Sequence, residues 1–553
     1  MDSTGREQLK RHLPEIILGL LMLAQASFLL VLTAPIAFVS DEWQFLFFRQ
    51  GFSPGTTLDP YYEHLVAVPN YLYSTAVGIF GLGTNRPMQI AALLTFLGLN
   101  ALLFVYLRRR AGGWAALIGT ALILFLGAAF EDLLFAFQIN YFGAIACGLG
   151  ALLALDRDDR RGDLIASLLL VAGVLTSSMI FPFIAAAALE WALNPRDRRR
   201  RFFVPGAAIG IWILWWIGWG HQADSQAGLS GLSGLPGYLW KAVPAGFTSL
   251  AGLATDDGTM PDQPHLIWGR LLCLAALAAA GWRIYRLGRV PRELWVAIAA
   301  AATFFVLSGL NASDFRLPTS SRYQLPSALF IVLIAANLLR GVKIPGRALV
   351  ASAILAALAV FGGARLMEEQ ATERWQPTSR SARAALGAID LAGPAVIPGY
   401  QIDLRTNPEQ DRLIPIDLYR ETTASHGSPG MDASEIEGAA PQYRLQADLA
   451  LIGATGIHLS GLPVRPSGPC QRVRGSNNLF GPVPLQSGGY LIMNRGKDQL
   501  AVALSRFSDL PGVSAGAILP ETMAGLDLPQ DNSTRPWQAV FFGEGPVRIC
   551  PTG

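Results

Sequence analysis

The sequence predicts a polytopic α-helical membrane protein with about eleven transmembrane helices, followed by a C-terminal domain of mixed α and β structure outside the membrane. Composition is the first reason: 52% of the 553 residues are hydrophobic, 15% are charged, and the mean hydropathy is +0.36. Soluble domains carry about 25% charged residues. The second reason is a series of apolar segments long enough to cross a bilayer core of about 30 Å. The third is that these segments stop after residue 363.

Each apolar segment is predicted to be a helix, because backbone polar groups in lipid must be hydrogen-bonded within the segment. The segment 163–194 is too long for one crossing, and it contains a polar break at Thr176 to Ser178 followed by Pro182. We therefore predict two short spans there. The segments with the length of a single crossing are 13–38, 86–107, 113–130, 136–155, 203–219, 265–283, 292–310, 325–340 and 346–363.

The basic residues between these segments predict the orientation in the membrane, since Arg and Lys in short loops favour the cytoplasmic side. If the spans alternate, the N-terminal tail and the basic loops fall on one side, and the other side carries only scattered cations. The N-terminus is therefore predicted to be cytoplasmic in a plasma (inner) membrane, and everything after residue 363 extracytoplasmic. The basic loops are Arg108 to Arg110, 156–163, 194–202, 283–292 and 340–347.

The predicted domain organisation is a membrane-embedded domain, residues 1–363, and an extracytoplasmic domain, residues 364–553. A short helical connector opens the second domain, which becomes β-rich from about residue 460. There the segments GGYLIMNRG, DQLAVALSRFS, PWQAVFFG and PVRIC alternate in polarity between Gly, Pro and Asp turns, which predicts a small β-sandwich. Cys470 and Cys550 lie in this domain. A disulfide between them is the predicted pairing in an oxidising compartment, and two free thiols are the alternative.

The first outer loop, residues 39–85, gathers polar residues at the edge of the membrane. It opens with VSDEW, which places Asp41 and Glu42 directly after the first span. An amphipathic helix is predicted at about 65–80, lying along the membrane interface. Carboxylates near the hydrocarbon boundary are costly unless they are paired or face water, so we treat them as functional candidates. The alternative is that they are ordinary solvated residues at the end of a span.

Two further motifs add acidic residues on the predicted outer side. YYEHL supplies Glu63 and His64 within the first loop, and FEDLLF supplies Glu131 and Asp132 at the outer end of the third span. All four are candidate substrate-binding residues. For His64 the alternative is a loop histidine with no such role.

These features resemble the membrane glycosyltransferases of the GT-C fold. The resemblance rests on the cytoplasmic N-terminus, the acidic pair in SDEW, the interfacial helix ending in FG, the motifs YYEHL and SSRYQLPSALFIVL, and the outer C-terminal domain. The chain also resembles a group of uncharacterised actinobacterial polytopic membrane proteins. In GT-C enzymes the first outer loop carries the catalytic carboxylate, and the donor is usually a polyprenyl-phosphate-linked sugar. The resemblance therefore implies transfer of a sugar from such a donor to a cell-envelope glycan, lipid or protein on the outer face.

By this resemblance the catalytic base is Asp41, with Glu42 as the near alternative. Such a base takes the proton of the acceptor hydroxyl. Adjacent residues of an extended segment point in opposite directions, so only one of the two should face the substrate. Trp43 is a candidate for stacking on a sugar ring, and its alternative is a Trp of the interfacial aromatic belt.

The leaving phosphate needs a cation, and Arg is scarce on the predicted outer side. Arg322, in SSRYQLP, can pair bidentately with phosphate, and Tyr323 can donate a second hydrogen bond. Arg316, in the same loop, is the substitute for Arg322. The alternative for Arg322 is a long side chain that snorkels from the end of a span.

No cofactor or metal ligand is predicted. The adjacent Asp41 and Glu42 differ from a DxD metal signature, and the six His and four Cys residues lack the spacing of a zinc site. The need for a divalent cation stays open. No P-loop ending is present, which favours a lipid-linked donor over a nucleotide sugar. The net charge of +3 is too small to indicate nucleic-acid binding.

Two other functions remain open at this stage. One is a transporter or flippase of lipid-linked sugars, although the chain shows none of the internal repeats typical of transporters. The other is a non-catalytic envelope scaffold, for which the carboxylates of the first loop would be dispensable. The glycosyltransferase hypothesis demands that Asp41, Glu63 or His64, Glu131 and Arg322 converge on one outward-opening cavity.

Overall fold

In the computed structural model of the chain, the described residues are 3–194, 201–223, 229–254, 265–313, 316–405, 412–461, 465–476 and 478–552. Part of the predicted basic loop 194–202 lies outside them. The chain divides into two compact units, and each is described by itself. The first unit comprises Met1–Ala34, Arg49–Ala76 and Arg86–Trp375, and the second comprises Pro35–Phe48, Val77–Asn85 and Gln376–Gly553.

Helices account for most of the described chain before residue 460. In chain order they are α1 (Ser3–Thr33), α2 (Glu42–Phe47), α3 (Pro54–Leu58), α4 (Ala67–Phe80), α5 (Arg86–Ala111), α6 (Gly113–Leu124), α7 (Phe130–Leu134), α8 (Ile139–Leu155), α9 (Arg160–Val174), α10 (Phe181–Leu193), α11 (Phe203–Gly218), α12 (Leu235–Leu250), α13 (His265–Leu287), α14 (Arg292–Leu310), α15 (Gln324–Leu338), α16 (Gly346–Gln370), α17 (Gln376–Ala392), α18 (Ile416–His426), α19 (Ala433–Gly438) and α20 (Pro441–Thr455).

The helices make this a multi-pass membrane protein. Six apolar helices of the described chain are long enough to cross a membrane, and a bent pair, α6 with the turn and helix that follow it, makes a seventh. A helix occupies every apolar segment identified in the sequence, although several are shorter than a full span. The count of about eleven crossings and the outside placement of the C-terminal part stay predictions. The long candidates are His12–Thr33, Arg86–Ala111, Ala136–Leu155, Leu266–Leu287, Arg292–Leu310 and Gly346–Ala395.

The bend after α6 has a local cause in the packing of the first unit. The two parts of the bent pair meet at 42°. A Cβ atom at Gly127 would overlap the carbonyl oxygen of Gly363, so the two backbones approach each other more closely than any other residue type would allow. The break brings the short helix α7, with its two acidic residues, into the interior of this unit.

The long apolar segment 163–194 forms two helices, α9 and α10, with the break where the polar residues stand. Ser178–Ile180 is a single 3-10 turn between them, and the hydroxyl of Ser177 accepts a hydrogen bond from the backbone N–H of Met179 at 3.3 Å. Pro182 stands in the first turn of α10, where its missing N–H costs no hydrogen bond.

The C-terminal part of the second unit contains two five-stranded antiparallel sheets. Their strand orders are β3-β10-β7-β12-β4 and β5-β6-β11-β8-β9, and a two-stranded ribbon of β1 and β2 precedes them. The strands are β1 (Gln401–Ile402), β2 (Ile414–Pro415), β3 (Leu459–Ser460), β4 (Gln471–Arg472), β5 (Gly475–Ser476), β6 (Leu479–Leu485), β7 (Gly488–Asn494), β8 (Leu500–Ser505), β9 (Val513–Ile518), β10 (Met523–Leu528), β11 (Trp537–Phe542) and β12 (Val547–Thr552).

One covalent bond and one buried carboxylate fasten this β-rich region. Cys470 and Cys550 form a disulfide beside the β4–β12 pair. Asp448, on α20, is 0% exposed and accepts hydrogen bonds from the backbone N–H groups of Arg506, Phe507 and Ser508 at 2.9, 3.1 and 2.9 Å. These hydrogen bonds attach α20 to the turn that follows β8.

Candidate functional site

A tight turn of the first unit holds the YYEHL motif. Tyr61 and His64 exchange backbone hydrogen bonds of 3.0 and 2.9 Å, and Tyr62 between them has a positive φ of 48°. This conformation is uncommon for a residue with a side chain and is held only where the surroundings enforce it. The turn fixes the direction of the Glu63 side chain.

Glu63 forms an ion pair with Arg316. The two guanidinium nitrogens of Arg316 lie 2.6 and 3.3 Å from the two carboxylate oxygens, and the side chains are only 16% and 10% exposed. Burial raises the pKa of Glu63, but the hydrogen bond and charge of Arg316 outweigh it, so the pKa lies below its ordinary value. The same pairing raises the pKa of Arg316 against the effect of burial. Both groups are therefore charged at neutral pH.

His64 bonds to a serine that the sequence analysis did not select. Its Nδ1 atom lies 2.6 Å from the hydroxyl oxygen of Ser178, on the 3-10 turn between α9 and α10. Burial lowers the pKa of His64, and the nearby Glu63 only partly offsets this, so the imidazole is neutral at pH 7. The signal for Ser178 was present in the sequence as a polar break in an apolar segment, which indicated only a helix end.

A second ion pair joins Glu131 to Arg322. The carboxylate of Glu131 accepts a hydrogen bond from the backbone N–H of Arg322 at 3.1 Å, and Nε of Arg322 lies 3.5 Å from the same oxygen. Ser321 fastens the two segments, because its hydroxyl donates to the carbonyl oxygen of Ala128 at 2.7 Å and accepts from the N–H of Glu131 at 3.0 Å. The Arg322 side chain is 40% exposed.

Both ion pairs act on Tyr323. Burial raises the pKa of this phenol, Arg322 and Arg316 lower it, and Glu63 and Glu131 raise it further. Arg316, Arg322 and Tyr323 belong to one loop of the first unit, residues 316–323, so the two ion pairs are anchored on the same segment. The structure thus brings together Glu63, Arg316, Glu131, Arg322 and Tyr323, which the sequence analysis had taken from three separate motifs.

Asp132 is the unsatisfied member of this region. Its side chain is 0% exposed, and neither carboxylate oxygen has a hydrogen-bond partner among the residues that the structure describes. A buried carboxyl group without a partner costs free energy, because nothing replaces its lost hydration. Such a group in a native fold calls for an explanation, and a bound ligand that donates to it is one.

The second unit holds the SDEW motif. Glu42, at the start of α2, is 0% exposed, and its carboxylate accepts hydrogen bonds from the N–H of Val39 at 2.9 Å and from the side-chain amide of Asn85 at 3.0 Å. Asp41 precedes the helix, is half-buried, and does not cap α2 with its side chain. The two adjacent carboxylates therefore have different surroundings.

Trp43 is buried in the second unit. Its ring stacks on Phe47 with 6.3 Å between centroids and meets Phe38 edge-on at 6.1 Å. The side chain is 4% exposed. Stacking of Trp43 on a sugar ring stays a prediction.

Among the described residues no group of three or more His, Cys, Asp or Glu side chains could hold a metal ion, and the need for a divalent cation stays open. A narrow apolar groove of the first unit runs between α1, α5 and the segment after α7, and Leu30, Leu93, Phe96 and Phe135 are among the side chains that line it.

The comparisons with known proteins add one similarity. No family model matches the chain, and no curated protein matches it. A solved structure, the crystal structure of ArnT from Cupriavidus metallidurans bound to undecaprenyl phosphate, is similar at 15% sequence identity and a TM-score of 0.43, covering 75% of this chain and 88% of that one. A similarity of this size does not decide fold or function. The inference of function therefore depends on the residues described above.

Proposed function

We propose that this protein is a membrane glycosyltransferase that moves a sugar from a polyprenyl-phosphate-linked donor to a glycan, lipid or protein of the cell envelope, on the outer face of the membrane. The observation that supports it best is the cluster of two carboxylate–arginine pairs around Tyr323 in the first unit. Charged groups gathered in a membrane protein of this composition are functional candidates. The donor headgroup has a negative phosphate, which arginines bind, and several sugar hydroxyls, which donate hydrogen bonds to carboxylates.

The geometry of the two pairs favours Arg322 over Arg316 as the phosphate ligand. Arg316 is held by both oxygens of Glu63 and is 10% exposed, so a phosphate would have to break a buried pair that is expensive to separate. Arg322 is 40% exposed, and its Nε lies at 3.5 Å from Glu131. A phosphate oxygen can therefore displace or share that contact at smaller cost. We assign Glu63 and Arg316 the task of holding the turn in place.

The proposed reaction is a single displacement at the anomeric carbon. The acceptor oxygen forms a bond to that carbon, the bond from the carbon to the phosphate oxygen breaks, and polyprenyl phosphate leaves with the electron pair. A carboxylate takes the proton of the acceptor hydroxyl, and the resemblance to GT-C enzymes gives this role to Asp41 of the first outer loop. Arg322 stabilises the charge on the leaving phosphate, and the phenol of Tyr323 donates a hydrogen bond to it. The apolar groove beside α1 and α5 is a candidate for the prenyl chain.

Asp41 is preferred over Glu42 as the base because of their surroundings within the second unit. The carboxylate of Glu42 is already bonded to Val39 and Asn85 and is closed off from solvent. Glu42 is therefore assigned to fastening the segment that carries Asp41.

Transfer of radiolabelled sugar from a panel of polyprenyl-phosphate donors by the purified full-length chain tests the proposal. We expect transfer by the natural chain and its loss in Arg322→Gln, with Arg157→Gln as the matched control that removes an exposed, ion-paired arginine outside the site. Transfer that is equal in the natural chain and in Arg322→Gln would contradict the assignment. A lipid-linked sugar that is moved across a vesicle membrane without transfer would instead indicate a flippase.

A further inference from the structure

The first unit contains a second polar cavity that shares no lining residue with the candidate site. It has a volume of about 1020 Å³, including its open mouth. Eight of its lining residues are charged, four of them arginines and four carboxylates. All come from the predicted basic loops or from helix ends next to them. The proposed reaction does not use this cavity.

One arginine of the cavity is fixed in place before any ligand arrives. The side chain of Arg110 is 7% exposed, and its guanidinium carbon lies 3.5 Å from the ring centroid of Tyr106. Nε donates to the side-chain oxygen of Asn337 at 3.1 Å, and the other two nitrogens donate to Asp156 at 3.2 and 3.0 Å. A guanidinium held in this way loses little conformational entropy when it contacts an anion.

Arg109 and Arg110 share one carboxylate instead of having one each. Arg109 shares the carboxylate of Asp156 at 3.5 Å, although Arg110 already binds both of its oxygens, and the Arg109 side chain is 50% exposed. The other two arginines of the lining each have a carboxylate of their own. These pairs are Arg292 with Glu190 at 3.3 Å and Arg340 with Glu293 at 2.6 Å.

The cavity lining has four residues of each sign, but the loops that contribute most of these residues carry a surplus of basic residues. The segments 108–110, 156–163, 283–293 and 340–347 together contain thirteen Arg and Lys residues and five Asp and Glu residues. A cavity with such surroundings attracts anions from solution or from a membrane surface. Two adjacent guanidinium groups that share one carboxylate match the oxygens of a phosphate, which makes bidentate contacts with arginine.

We propose that this cavity binds a phosphate group, carried by a phospholipid headgroup or free in solution, with Arg110 as the fixed ligand and Arg109 as the charge that the anion neutralises. The site is independent of the sugar-transfer reaction proposed above. A lipid headgroup and a free phosphate present the same chemistry to these arginines.

Lipid binding measured by native mass spectrometry tests this proposal. The full-length chain, purified in detergent, is titrated with phosphatidylglycerol and separately with a diacylglycerol of the same acyl chains. We expect the phospholipid to bind and Arg109→Gln to weaken its binding about tenfold, the size of one charged hydrogen bond. Asp156→Asn should strengthen binding, because the competing carboxylate is lost. The matched control is Arg157→Gln, because Arg157 lies in the same loop as Asp156 but does not line the cavity.

Competition with inorganic phosphate then identifies the source of the anion. If inorganic phosphate displaces the lipid, the site binds phosphate in either form. If the lipid stays bound in the presence of inorganic phosphate, the site is specific for the lipid headgroup. The proposal is overturned if Arg109→Gln binds the phospholipid as tightly as the natural chain. Equal binding of the diacylglycerol, or an equal loss in Arg157→Gln, would overturn it too. Because Arg109 is half-exposed, we expect Arg109→Gln to melt at the temperature of the natural chain, and thermal unfolding checks this before lipid binding is compared.

Discussion

Asp132 in the first unit and Asp448 in the second are both completely buried, yet their surroundings are opposite. Asp448 accepts hydrogen bonds from three backbone N–H groups and from the hydroxyl of Ser508. Neither oxygen of Asp132 has a partner among the described residues. A satisfied buried carboxylate holds a fold together, whereas an unsatisfied one costs stability that a function must justify. Burial by itself therefore does not tell a structural acid from a functional one; the donors around it do.

The neighbours Asp41 and Glu42 differ in burial, since Asp41 is half-buried and Glu42 is fully buried, and this pair carries the largest expected effect. We expect Asp41→Asn to lower the rate of sugar transfer by about 10² to 10⁴, the usual contribution of a general base, with thermal stability unchanged. Glu42→Gln should lower the melting temperature and leave most of the transfer rate in the folded fraction. Transfer of radiolabelled sugar and thermal unfolding, measured on both variants, check the pair. The opposite pattern would make Glu42 the base.

Asp132→Asn should lower transfer by about 10- to 100-fold, because one or two buried hydrogen bonds to the substrate are lost. Its melting temperature should stay about the same, since a fully buried carboxyl group without a partner is held in its neutral form and an amide of the same shape is buried at a similar cost. Asp163→Asn is a useful comparison, because that carboxylate is also buried but is paired with Arg201 at 2.7 Å. A loss of stability in Asp132→Asn at full activity would place Asp132 with the structural acids.

Asp448→Ala should lower the local stability of the β-rich region by about 3 kcal/mol, because buried N–H groups lose a charged acceptor. Hydrogen exchange of the amides of Arg506, Phe507 and Ser508 in the full chain measures this directly, and their exchange should become about 100-fold faster. Asp527→Ala, on an outward-facing position of β10, is the control. Unchanged exchange at the three amides would mean that the hydrogen bonds to Asp448 contribute nothing net.

The smallest effect concerns His64. Its folded pKa is lowered, so the unfolded chain binds more protons below about pH 6.5, and stability is lost as the pH falls below that value. Between pH 7.5 and 5.5 we therefore expect the melting temperature to fall, and His64→Gln should remove that fall. The contribution of Glu63 disappears at lower pH, because its folded pKa is below the ordinary value of 4.5. If the melting temperatures of the natural chain and of His64→Gln changed equally across this pH range, His64 would gain no proton on unfolding.

The strands of the second unit show which strands an alternating sequence pattern predicts and which it does not. Strands were predicted where β7, β8, β11 and β12 are found, because these segments alternate apolar and polar residues between turns. β6, β9 and β10 were not predicted. The segment of β6, LFGPVPL, contains two prolines and a glycine, and β9, VSAGAI, consists largely of small residues. Neither has the strong β-branched or aromatic alternation of a typical strand, and their neighbours in the sheet decide their conformation.

The sequence by itself determined the class of the protein and the positions of its apolar helices, since apolar length and charge depend on neighbouring residues alone. It also singled out Glu63, Arg316, Glu131 and Arg322 as candidates. Only the tertiary structure decided which of them pair, because the partners are up to 253 residues apart in the chain. It likewise decided that Ser178 meets His64 and that Asp132 has no donor among the residues that the structure describes. Hydrogen bonds between distant segments depend on how helices pack, and local patterns contain no record of that packing.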